Sequence, residues 1–211
     1  MKHSAILTDV THTDRPHESA IKHVTGAADY TDDIAEPAGT LHAYLGLSDI
    51  AHGEIADMDF SEVIAQPDVV GVLTAQDIPG LNDISPTGLN DEPVFAEGKV
   101  EFWGQPVFAV IAHSRDAARR AAKCAKITWR PLAHASDIDA ARQAGYPNVT
   151  APLKLERGEV ETALKDATHR LQGQFRIGGQ DHMYLEGHIA FAMPGEDEDV
   201  TVFSSNQHPS E

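Results

Sequence analysis

Apolar and polar residues alternate over Leu41–Ser48 (LHAYLGLS), which predicts a strand. Over Val69–Thr74 (VVGVLT) the run is almost wholly apolar, which predicts a buried strand. Between them, AHGEIADMDF supplies Ile55, Met58 and Phe60 as core contacts, and Ser61 is placed to cap a short helix, SEVIAQ, that stops before Pro67. Asp77–Phe95 is dense in Pro, Gly, Asn and Asp and predicts a long loop that lies across another domain. VEFWGQPVFAVIAHS then predicts a strand, a turn at Gly104–Pro106 and a strand over Val107–Ala112. Ser114 is a good N-cap for the helix RDAARRAAKCAK, whose apolar face holds Ala117, Ala118, Ala121, Cys124 and Ala125. Small residues there let the helix sit close to a sheet, and ITW (Ile127–Trp129) follows as a strand.

The pattern weakens on either side of this unit. Residues 1–16 are a polar tail, and HVTGAADYTDDIAEPAGT predicts loops and short turns. SDIDAAR predicts one helical turn or two inside a linker, and GEVETALKDA predicts a short helix. In HRLQGQFRIGG, Leu171, Gly173, Phe175 and Ile177 face one way and Arg170, Gln172, Gln174 and Arg176 the other, the clearest strand pattern in the chain. HIAFAM and VTVFSS flank PGEDED as a hairpin. A hairpin plus one strand leaves an open edge, so the chain is expected to stop partway through a second domain. The expected organisation is α+β. It has a tail at 1–16, a first domain at 17–133, a linker at 134–157 and the truncated start of a second domain at 158–211.

Composition narrows the function. No run of eighteen apolar residues exists, and the N-terminus lacks the apolar core of a secretory signal. The single cysteine, Cys124, cannot form an internal disulfide or hold an iron–sulfur cluster, so any cluster belongs to a partner. On an Ala-rich face Cys124 is expected to be buried rather than catalytic. A formal net charge of -17 argues against a nucleic-acid binder. Between Lys22 and Lys99 there are fifteen Asp and Glu and no Lys or Arg. That stretch is either a solvated surface or a dock for a basic partner.

One motif suggests chemistry. In IGGQDHMYLEGH (Ile177–His188) two glycines permit close backbone approach and Gln180 follows directly. A neutral amide suits contact with an oxo ligand or an anionic group, although a relaxed turn with a structural Gln explains the same residues. Asp181, His182, Glu186 and His188 imitate a metal cluster, but H-E-x-x-H is absent and the six-residue spacing of the histidines fits no zinc pattern. WGQPV is explained by turn geometry, and SSNQHPS is uninformative alone.

Several separated motifs agree in order with a known family. HESAIKHVTGAADYTDDI, GTLHAYLGLSDIAHGEI and GQPVFAVIAHSRDAARRAAKCAKITW resemble the α/β hammerhead domain that opens the large subunit of molybdenum hydroxylases, the xanthine dehydrogenase and aldehyde oxidase family. LKLERGEVETAL resembles the linker that follows, and GQFRIGGQDHMYLEGHIAFAMP with VTVFSSNQHPSE resembles the start of the molybdopterin-binding domain. RPHESAIKHVTGAADYTDDI and SSNQHPSE look most like the separate molybdenum subunit of the bacterial xanthine dehydrogenase branch.

The resemblance implies hydroxylation of hypoxanthine and xanthine to urate with oxygen from water. It also implies a molybdenum–molybdopterin cofactor, iron–sulfur clusters and FAD in a partner subunit, and NAD as electron acceptor. A cytoplasmic heterotetramer, free of membrane and nucleic acid, is the assembly it implies. Gly178, Gly179 and Gln180 match the family's Gly-Gly-Gln, in which the glutamine hydrogen-bonds the oxo ligand of the metal, and Gly179 permits the approach. Gln180 would then be an outer-shell contact to molybdenum, with no directly ligating residue and no catalytic residue in this chain. The family's GGGFGGK run, its substrate-binding Glu and Arg and its late Gly-x-Gly-Glu base are all expected downstream, and Glu211 is not a candidate for that base. The isolated chain is therefore expected to be inactive. An aldehyde or another N-heterocycle as substrate is the alternative within the family. A non-catalytic acidic interaction module is the alternative outside it.

Overall fold

The computed structural model describes residues 14–86, 88–184, 186–197 and 199–206. Most of the polar tail and the residues from 207 to Glu211 lie outside the described residues. Two compact units are present, Pro37–Gly178 as one, and the residues up to Glu36 with those from Gly179 onward as the other.

Pro37–Gly178 is built on two three-stranded sheets. One has the order β1 (His42–Leu47), β5 (Pro106–Ala112), β3 (Val69–Thr74), and the other β4 (Lys99–Val100), β2 (Gly53–Asp59), β6 (Lys126–Pro131). All the pairings are antiparallel. β5 is central in its sheet and is the most buried strand, with Val107, Phe108, Ala109, Val110 and Ala112 all out of water. α3 (Arg115–Ala122) packs on this sheet through Ala117, Ala118 and Ala121. The Ser114 side chain accepts a hydrogen bond from the Ala117 N–H at 3.2 Å, the predicted N-cap.

The core joins Val63 from α2 (Ser61–Ile64) to Val100, Val107, Phe108, Val110 and Ala121, with Ile55, Met58, Phe60, Ile127 and Trp129 packed around them. Gly46 and Phe108 are direct cross-strand partners, and the Phe108 ring lies over the bare Gly46 backbone. A Cβ on Gly46 would stand 2.0 Å from the ring, closer than real atoms approach. Phe108 is only 2% exposed and meets Phe60 at 4.9 Å between ring centroids, so the ring has nowhere to go. Gly46→Ala is expected to cost about 1–3 kcal/mol by overpacking. Urea unfolding read by tryptophan fluorescence checks this, and an unchanged midpoint would contradict the packing.

Several expectations are corrected. AHGEIADMDF forms strand β2, where only core contacts were anticipated. A register shift between Ile55 and Asp57 breaks the alternation that would have marked it. Ser61 does not cap α2. It is the first helical residue, and its N–H donates to the Asp59 carboxylate at 2.8 Å. A hydrogen bond from the Ser61 hydroxyl, with the N–H bond beside it, holds the Asp59 carboxyl below its usual range. β3 is an edge strand rather than a buried one, with Val70 and Leu73 about half exposed. Cys124 and Ala125 fall past the end of α3, although both still pack on the core. Part of the acidic stretch is answered by β6, where Arg130 pairs with Glu54 and Lys126 with Glu62 at 2.5 Å.

Beyond β6 the chain carries α4 (Ile138–Gln143), capped by the Asp137 carboxylate, and α5 (Val160–Asp166). The predicted strand over 169–179 is not formed. Leu171, Phe175 and Ile177 are at least 90% exposed, because no strand among the described residues pairs with them. Alternation fixes which way side chains point, but a strand also needs a neighbour's hydrogen bonds.

The other unit holds α1 (Ala20–Thr25), ended by Gly26 in the left-handed region, and a 3₁₀ turn at Thr31–Asp33. The hairpin of β7 (Ala190–Pro194) and β8 (Val200–Ser204) forms as predicted, with Phe191 stacked on its partner Phe203. Residues 23–25 of α1 were expected as loop, since six residues give too short an apolar stripe to register as a helical period.

Candidate functional site

The stretch from Gly178 to Ile189 connects an exposed, irregular segment to strand β7. Gly178 and Gly179 have no atom within 4 Å of where a Cβ would stand, so their backbone is open to close approach. Gln180 follows, with its side chain exposed. A turn comes next. The Asp181 carboxylate accepts the Met183 N–H at 3.0 Å, and Met183 sits in the left-handed region at φ 53°. That conformation is uncommon for a residue with a long side chain, and the Asp181 turn supports it.

After the turn the chain is fastened. The Glu186 carboxylate accepts the Thr31 N–H at 3.2 Å, the first donor of the 3₁₀ turn. The Ser205 hydroxyl accepts from the Ile189 N–H at 3.0 Å and donates to the Gly187 carbonyl at 2.9 Å. The Tyr184 ring lies between two histidines, 6.0 Å from His182 and 5.2 Å from His188. Tyr184, Glu186, His188 and Ser205, with His23, Asp29 and Tyr30, line an open cleft of about 720 Å³. Gly179 and Gln180 are not among its lining residues.

Sequence reasoning weighed Glu186 only as part of an imitation metal cluster and passed over Thr31 and Ser205. Thr31, the partner of Glu186, lies 155 residues away, and no local pattern announces such a bond. Elsewhere, the Gly104–Pro106 turn is a hydrogen-bonded one. The Gln105 side chain, 4% exposed, accepts the Glu101 N–H at 2.7 Å, and Gly104 takes φ 89°.

Whether these residues suit a molybdenum–pterin group is decided by donor chemistry. Among the described residues no group of three or more His, Cys, Asp or Glu is arranged to hold a metal ion. Gln180 offers a neutral amide with two N–H donors, beside backbone that nothing crowds. An exposed amide beside uncrowded backbone is compatible with an outer hydrogen bond to such a group. No helix among those residues is long and apolar enough to cross a membrane.

Comparison with known proteins gives two family matches along the chain. The family model described as aldehyde oxidase and xanthine dehydrogenase, a/b hammerhead domain, matches residues 25–133, and that of the molybdopterin cofactor-binding domain matches residues 142–211. Xanthine dehydrogenase of Drosophila pseudoobscura pseudoobscura is 37% identical over 92% of this chain. Aldehyde oxidase 3 of Rattus norvegicus is 36% identical over 90% of it. The chain spans only 15% and 14% of these two relatives. The solved aldehyde oxidoreductase of Desulfovibrio gigas superposes with a TM-score of 0.76 and 29% identity, covering 90% of this chain and 23% of that one.

Proposed function

Because this chain belongs to the aldehyde oxidase and xanthine dehydrogenase family, we propose that it is part of the molybdenum subunit of a xanthine dehydrogenase. The observation that carries the reading is the succession of the two family matches, hammerhead then cofactor-binding, over nearly the whole chain. The whole protein hydroxylates hypoxanthine and xanthine to urate and passes electrons to NAD through an iron–sulfur and FAD partner subunit in the cytoplasm. When bound, the molybdenum–pterin group supplies the two-electron oxidation and takes its oxygen from water. This chain contributes a domain at 17–133, a linker at 134–157 and the first part of the cofactor-binding domain at 158–211. Gln180 is its contact to the metal centre, acting through an amide N–H and oriented beside the open backbone of Gly179.

The xanthine assignment rests on the likeness of RPHESAIKHVTGAADYTDDI and SSNQHPSE to the bacterial branch. An aldehyde substrate is the second reading, favoured by the near-equal identity to the rat aldehyde oxidase. Incubating the complete protein and its partner with xanthine in ¹⁸O-labelled water separates the two. Labelled urate with NAD reduction is expected. Turnover of aldehydes with none of purines would replace the first reading by the second.

A further inference from the structure

We infer that Glu186 and Ser205 are positioning residues for Gln180, an inference that rests on the reading of Gln180 given above. Gln180 has no support from regular secondary structure, since the chain is irregular from 170 to 184. A hydrogen-bonding amide that orients a ligand must itself be held, or its effect is averaged away. The nearest restraints after it in the chain are the Asp181 turn, then Glu186 on the Thr31 N–H, then Ser205 on Gly187 and Ile189. Both Glu186 and Ser205 are partly buried, and their bonds from the Thr31 and Ile189 N–H groups are partly shielded from competing water. Ser205 sits directly past β8, whose pairing with β7 makes it a fixed point. The sequence therefore runs from a free amide through a tight turn to an anchored end, with only five residues between Gln180 and Glu186.

The carboxylate is not required for its charge. Its task is to accept one N–H, and an amide oxygen in its place accepts equally. Glu186→Gln is therefore expected to behave like the natural residue, while Glu186→Ala and Ser205→Ala release the segment.

The test uses the complete protein with its partner, carrying Glu186→Ala, Glu186→Gln, Gln180→Ala or the double change Gln180→Ala with Glu186→Ala. Amide hydrogen exchange over 179–189 is read beside kcat and KM, with kcat taken per molybdenum bound. Glu186→Ala is expected to speed exchange over 179–189 about tenfold and to lower kcat about tenfold with KM little changed. Glu186→Gln should restore both. The double change should cost no more than Gln180→Ala alone, because the two residues act as one unit. Losses that multiply in the double variant would overturn the inference, as would unchanged exchange in Glu186→Ala. Normal turnover in Gln180→Ala would instead remove the reading of Gln180, and the inference with it.

Discussion

Phe108→Ala is expected to remove about 3–5 kcal/mol of stability, the range for emptying a buried aromatic site. A domain of this size holds about 5–15 kcal/mol in all, so the change takes a large share of it. The ring is 2% exposed on the central strand β5, covers the Gly46 backbone and meets the Phe60 ring at a tilt of 55°. Nothing nearby can collapse into the space. Gly46 has no side chain, and the strands on both sides are fixed by their ladders with β5. Trp129 packs on the same cluster and supplies the signal. Urea unfolding should show a lower midpoint with little change in slope. A loss below about 1 kcal/mol would contradict the central place given to this ring.

Gln180→Ala in the complete protein is expected to lower kcat about 10–100-fold while molybdenum content stays level. The amide is read as an outer contact that orients the metal centre, so its removal leaves the ligands in place. Gln180→Glu should lose as much or more, because an ionised carboxylate accepts hydrogen bonds and donates none. Loss of molybdenum itself on substitution would show that Gln180 holds the cofactor rather than orienting it. Unchanged turnover would assign the glutamine to the turn alone.

Local signals carried much of the hammerhead unit. β1 and β5 stand where alternation and an apolar run placed them, α3 starts at the Ser114 cap, and the turn after Pro194 produces its hairpin. β2 was missed for a physical reason. The irregularity between Ile55 and Asp57 puts Ile55 and Met58, three residues apart, against one core, a spacing that breaks the two-residue period of a strand. The pattern at 169–179 failed in the opposite sense, showing perfect alternation with no partner strand among the described residues. The candidate site was legible only in part. Gln180 was picked out by two glycines and by the family likeness, whereas the bond from Thr31 to Glu186 joins distant segments and has no local signature. Contacts made across 155 residues are decided by the fold.

The proposed function makes this chain part of a molybdenum enzyme, and elemental analysis of the complete purified protein tests that reading most directly. Molybdenum in stoichiometric amount with the chain, together with a pterin released on denaturation, is the predicted result. A folded, complete protein that holds neither would contradict the account.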